Sequence, residues 1–302
     1  MKKMMSKVLV GSGVLGAVVC AQGALIASEG FKATTTGGGT DYTTSVALNT
    51  AANSNVVSLG SSGFSGTTWV TGSGLLRPLT NSLTHNLLTG TAQSGSLGIQ
   101  ASSSNDRNTS RSLSSAPQVA SSYFLSGLVN VPASGSLAVG DQRAMGFMDA
   151  IANNTFSSIS GFHLGIRRDA TSTYLTAYAN STAYNLLNLA GHYGTTYQVV
   201  LKLDVNSSGN ETMTAWYAQN GATELTEAIL NQNVGEIWND VGDLDTFVAQ
   251  TDSTGTTTLH LPFDEMRFGT TLGDVTVIPE PTTLGLFIIS SCTVFFIRRI
   301  QH

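Results

Sequence analysis

Cysteine is nearly missing from this 302-residue chain: Cys20 and Cys292 are the only two, and both lie in apolar stretches near the ends. The region between them forms no internal disulfide, so its core alone must hold it, and thiol catalysis is excluded there. Charge is also scarce, at 11% of residues, and unevenly placed. All 19 acidic residues lie between Ala24 and Pro281, against nine basic ones, which gives that region a formal charge near −10. An acidic body argues against binding nucleic acid by neutralising phosphates and against a polybasic membrane patch. Long helical periodicity is missing as well. The best helix candidate, Glu224 to Asn231, is short, and a coiled coil is excluded.

What the chain has in quantity is Gly, at 32, with abundant Ser, Thr and Asn and 41% hydrophobic residues. That is enough apolar material for a core, which excludes general disorder, and the composition favours strands joined by turns. Apolar stretches punctuated by Gly, Ser and Asn predict strands at Leu25–Ala27, Ser96–Gln100, Ser122–Val131, Arg143–Ile151, Phe162–Arg168, Tyr174–Tyr178 and Asp264–Gly269. Asp169 to Ser172 is the turn between two of them. The clearest hairpin runs from Tyr197 to Tyr217. Val199, Leu201, Leu203 and Val205 share one face, and Asn206 to Asn210 makes the turn. Thr34–Thr40 and Ser58–Thr68 read as loops, and Ser102–Ser115 as a long mobile one. Some ten to fourteen strands of this kind predict an antiparallel β-sandwich.

The two ends carry processing signals. Lys2, Lys3 and Lys7 precede the apolar run Val8–Cys20, and Ala21 and Gly23 suit a cleavage site, so residues 1–23 read as a signal peptide. The other end reads Pro279-Glu280-Pro281, then the apolar run Leu284–Ile297, then Arg298-Arg299. The run is short for a full span, and the Arg pair belongs on the cytoplasmic side. Motif, apolar span and basic pair, in that order, resemble the PEP-CTERM sorting signal of Gram-negative bacteria. The resemblance implies that an exosortase, a membrane cysteine protease resembling a transpeptidase, recognises Pro279, Glu280, Pro281, Arg298 and Arg299. The chain is then the substrate, anchored transiently in the inner membrane and passed to the cell surface or outside the cell, often among exopolysaccharide.

Between the ends, Leu25-Ile26-Ala27-Ser28-Glu29-Gly30-Phe31 resembles the first strand of laminin-G or concanavalin-like jelly rolls. Phe263-Asp264-Glu265-Met266-Arg267-Phe268-Gly269 resembles their last core strand. The expected organisation is a signal helix (1–23), an all-β antiparallel jelly-roll sandwich (24–276) and a sorting tail (277–302) with its transmembrane helix at 284–297 and basic end at 298–302.

Such folds include glycoside hydrolases, whose chemistry needs two carboxyl groups flanking the bond that is cut. The alternating acidic strand of the jelly-roll hydrolases this resembles is absent. Asp240, Asp243 and Asp245 are close enough in sequence to be candidate calcium ligands, although their spacing is not that of an EF-hand and a solvated turn is the competing explanation. No other cofactor is expected. Asp264 and Glu265 point to opposite faces of a strand, with an edge pairing to Arg267 expected. His85, His163, His192 and His260 are too dispersed for zinc, and His163 on its strand reads as a core or sheet-surface residue. A nucleophile elbow and phosphate-binding loops are absent. Trp69, Trp216, Trp238, Tyr178, Tyr184, Tyr193 and Tyr217 are candidates for a sugar-stacking platform, with core packing the competing reading. The expected role is noncatalytic adhesion or glycan binding. The alternative is a divergent carbohydrate-active enzyme, a hydrolase or lyase of the same fold.

Overall fold

A computed structural model describes residues 24–31, 33–34, 42–43, 48, 62–64, 69, 76–79, 83–85, 96–100, 107–114, 120–131, 137–148, 161–206, 210–237, 244–252 and 260–276. In chain order the strands are β1 (Leu25–Glu29), β2 (Ala33–Thr34), β3 (Tyr42–Thr43), β4 (Leu76–Leu79), β5 (Ser96–Gln100), β6 (Arg107–Ser112), β7 (Ser122–Asn130) and β8 (Gln142–Met148). They continue with β9 (Gly161–Arg168), β10 (Thr173–Ala179), β11 (Thr182–Asn188), β12 (Thr196–Asp204), β13 (Glu211–Gln219), β14 (Thr226–Gly235), β15 (Thr246–Asp252) and β16 (His260–Gly269). One short helix, α1 (Leu272–Thr276), closes the described chain. The two ends expected to carry processing signals, 1–23 and 277–302, lie outside the described residues. Among the described residues no helix is long and apolar enough to cross a membrane.

The strands form two main antiparallel sheets. The larger has eight strands in the order β14-β13-β12-β7-β16-β5-β4, with β1 also paired to β16. The smaller has six, in the order β11-β10-β9-β8-β15-β6. β2 and β3 form a separate parallel pair. Alternation sets which face each residue takes. Val199, Leu201 and Leu203 of β12, Tyr123, Leu125 and Val129 of β7, and Phe162, Leu164 and Ile166 of β9 all enter one buried cluster between the sheets. Aromatic rings fill its centre: Phe147 stacks on Phe268 at 4.2 Å and stands 5.6 Å from Phe247. Gly127 lies opposite the bulge at Glu265, and a Cβ there would come 2.9 Å from the Met266 sulfur.

Two polar groups are enclosed in this interior. Glu29 and Arg111 form an ion pair of 3.4 Å, with both side chains fully buried. The Tyr42 hydroxyl donates to Glu29 and accepts from Trp69 Nε1. Arg111 also lies over the rings of Phe64 and Trp69, at 4.9 and 5.7 Å. Asp141 and Arg143 make a second buried pair at 3.5 Å.

Two local expectations change. Glu224–Asn231 is not helical: Thr226–Gly235 is the edge strand β14, paired with β13. The helical stripe Leu225, Ala228 and Ile229 is only about one turn long, too short to hold a helix, whereas the strand gains backbone bonds to a neighbour already in place. The Ser102–Ser115 loop contains β6, which pairs with β15 and carries Arg111 into the core. Its Ser- and Arg-rich sequence hides the strand because the inward residue is charged. Helix α1, on which no expectation bore, follows a capping box in which Thr271 and Asp274 exchange backbone–side-chain bonds.

Candidate functional site

The outer faces of the two sheets differ. The larger sheet is covered in part. Val275 of α1 packs with Phe124 and Val200, flanked by Trp216 and Leu225, and its carbonyl accepts a 2.6 Å bond from Ser126 Oγ. The segment Leu83–His85 crosses the same face, where Leu83 N donates to Asp264 and His85 meets the Ala218 carbonyl. Asp264 is thus a buried acceptor rather than an acid at a sheet edge. β16 is a central strand, and the expected pairing with Arg267 is made by Glu265 alone, at 3.4 Å.

The outer face of the six-stranded sheet is polar and built in rows. Register places Asn188 beside Tyr174, Tyr174 beside Arg167, Arg167 beside Gln142 and Gln142 beside Asp252. One residue from each of five neighbouring strands thus makes a line of amide, phenol, guanidinium, amide and carboxylate. At the usual strand spacing the line is roughly 19 Å long. Tyr174, Arg167, Gln142 and Asp252 are partly exposed and Asn188 is exposed. Gln142 Nε2 donates to Asp252 Oδ2 at 3.3 Å.

Behind this line the face is low and closed. Thr176, Gly165, Ala144 and Gln250 form the second row, and Tyr178, His163, Gly146 and Val248 the third. The glycines are required by close strand approach. A Cβ on Gly165 would come 2.2 Å from the Arg143 carbonyl oxygen, and one on Gly146 2.2 Å from that of Phe162. Tyr178 packs with Ala144 and Ala183, reaching over Gly165, and its hydroxyl donates to the Ile166 carbonyl. His163 is buried; desolvation pushes its pKa down to about 3, so the ring is neutral. Its Nε2 and Gln250 Oε1 are enclosed without hydrogen-bond partners. Such groups are costly to leave unpaired, and being enclosed they do not face a ligand on the surface.

The expected aromatic platform is not assembled. Trp69 is in the core against Phe247, Trp216 is on the other sheet beneath α1, and Tyr217 faces Tyr197 inside the sandwich. Tyr184 and Tyr193 pack against the core. Only Tyr178 of the set lies on the polar face, joined there by Tyr174; Trp238 lies outside the described residues. Of the candidate calcium ligands, Asp240 and Asp243 also lie outside them. Asp245 is described, and its carboxylate accepts a 2.7 Å bond from Thr246. Among the described residues no three His, Cys, Asp or Glu side chains come together as a metal site. Pro279, Glu280, Pro281, Arg298 and Arg299, expected as sorting residues, are likewise outside. Of the histidines, His163 is the buried sheet residue expected, and His192 is exposed after β11.

Two packed antiparallel sheets define the chain as a β-sandwich protein. No family model and no curated protein matches its sequence. Among solved structures, it is similar to an engineered GH43 glycoside hydrolase with endo-xylanase and exo-arabinofuranosidase activity, at 10% identity and a TM-score of 0.40, over 59% of this chain and 34% of that one. An alginate lyase from Aplysia kurodai matches at 9% identity and 0.41, over 64% and 86%. The exoplasmic domain of VIP36, bound to Ca2+ and Man3GlcNAc, matches at 11% and 0.36, over 70% and 88%. The chain thus spans about a third of the hydrolase.

Proposed function

We propose that this chain is an exported bacterial surface protein whose sandwich binds a glycan, without cleaving it, through the outer face of the six-stranded sheet. The observation that carries the binding part is the row Asn188, Tyr174, Arg167, Gln142 and Asp252. It is a solvent-facing line of mixed donors and acceptors, in which Asn188 also donates to Ser172 Oγ and accepts from Ala190 N. Sugar-binding sites use such neutral amides, phenols and fixed polar groups to hold hydroxyls. The row itself offers one carboxylate, Asp252, bonded by Gln142, and Asp169 in the turn beyond Arg167 is held by Thr171 and Ser172, whereas glycoside hydrolysis uses two that flank the bond cut. Screening the full chain on a glycan array is the direct test. Binding lost on Tyr174→Ala with Gln142→Ala supports the reading. Reducing-sugar release abolished by Asp252→Asn would replace it with an enzyme.

Export and sorting rest on the sequence of the two ends. The signal peptide delivers the chain, the tail holds it briefly in the inner membrane, and an exosortase cleaves near Pro279-Glu280-Pro281 before passage to the surface. Intact mass measured in cells with and without the exosortase tests this; a tail retained in both would sink it. Calcium at Asp240, Asp243 and Asp245 is a separate proposal. A calcium-dependent rise in melting temperature, lost on Asp243→Asn, supports it, and a melting temperature unmoved by calcium removes it.

A further inference from the structure

We infer that the glycan of this face is an acidic linear polysaccharide, lying across the strands with an anionic substituent on Arg167; the inference rests on the glycan-binding reading above. The described ion pairs engage Arg111, Arg143, Lys202 and Arg267, and Arg167 is in none of them. Two carboxylates beside it take hydrogen bonds from neutral donors, although the Arg167 charge also helps to keep Asp169 ionised. Asp169 accepts from Thr171 N, Thr171 Oγ1 and Ser172 N at 2.8, 2.7 and 2.9 Å, and Asp252 accepts from Gln142.

Arg167 is therefore the one permanent cation among the described side chains of this face, flanked in its row by the neutral Tyr174 and Gln142. The buried His163 behind it is neutral too. A guanidinium whose donors are uncommitted, fixed on a central strand, is suited to bidentate capture of a carboxylate or sulfate. Strand spacing supplies the linear part. Each step along the row is about 4.8 Å, close to the length of one pyranose residue, so successive sugars meet successive strands. With Arg167 in the middle of five strands, two sugars on either side contact amides, a phenol and Asp252 through hydroxyls.

The test uses the full chain and three polymers, polygalacturonate, alginate and hyaluronan, each beside its carboxyl-reduced neutral counterpart. The expected result is that at least one acidic polymer binds about tenfold more tightly than its reduced form, the size of one charge-assisted contact. Arg167→Gln should erase that preference, so that each acidic polymer binds no more tightly than its reduced form. Arg167→Lys should restore part of it, and thermal melts should confirm that both variants fold. Equal or tighter binding of the reduced polymers, or a preference that survives Arg167→Gln, overturns the acidic-ligand inference and leaves glycan binding standing. If neither acidic nor neutral glycans bind, both fall.

Discussion

Removing Glu29 should expose how the sandwich stands without a disulfide. Its carboxylate is fully buried against Arg111 and also takes bonds from Phe31 N and the Tyr42 hydroxyl. Glu29→Leu keeps the volume and removes the charge, leaving the Arg111 guanidinium enclosed. Breaking one partner of a buried pair typically costs about 3–5 kcal/mol. Here the rings of Phe64 and Trp69, at 4.9 and 5.7 Å, still face the cation and offset part of that. The expectation is therefore the lower end, about 3 kcal/mol, or a fall in Tm of about 6–12 °C for a domain of this size. Urea unfolding and calorimetry of the full chain measure it. Adding Arg111→Met to Glu29→Leu should recover most of the loss, because an apolar pair of similar volume replaces an ion pair at little cost. A single variant costing under about 1 kcal/mol, or a double variant as unstable as the two single changes summed, would refute the reasoning.

Further outcomes follow from the same packing. Gly165→Ala forces a Cβ to 2.2 Å from a backbone oxygen that cannot move aside, so it should cost about 3 kcal/mol or more in urea unfolding, as should Gly146→Ala. Val275→Ala, which empties the contact under α1, should cost about 2 kcal/mol in the same assay and raise hydrogen exchange at Ser126 and Phe124. His163 is held near pKa 3 by burial, below its unfolded value of about 6.5. The unfolded chain therefore takes up the proton first as pH falls. Stability from this group is complete above about pH 6.5 and is lost down to about pH 3, by up to about 1.4 kcal/mol per pH unit. His163→Gln should flatten that part of the stability–pH curve relative to the parent; equal slopes would contradict the burial of a neutral ring.

Much of the sandwich was legible because its central strands alternate or run apolar. Ser122–Val131, Phe162–Arg168 and Tyr174–Tyr178 each correspond to a strand, the Tyr197–Tyr217 hairpin to the pair β12 and β13, and the Asp169–Ser172 turn joins β9 to β10 as expected. Edges were harder. β14 has exposed Glu227, Leu230 and Asn231, so its strand character comes from β13 rather than from its own pattern. β6 was hidden because Arg111 occupies a core position that periodicity reserves for apolar residues. The polar face was illegible for a different reason. Its row takes one residue from each of five strands between Gln142 and Asp252, and only the inter-strand register aligns them. Residue type marked His163 and Tyr178, but nothing in the chain order joins Arg167 to Gln142. The carboxylates that do cluster in sequence, around Asp245, drew attention elsewhere.

The central claim is that glycan is held on the outer face of the six-stranded sheet. Comparing two face variants on the glycan array tests it most directly. Tyr174→Ala with Gln142→Ala alters that face, and Lys202→Ala with Thr212→Ala alters the outer face of the larger sheet. The first pair should weaken binding at least tenfold while both variants melt like the parent. Binding that survives the first pair and disappears with the second would place the ligand on the opposite face and contradict the account.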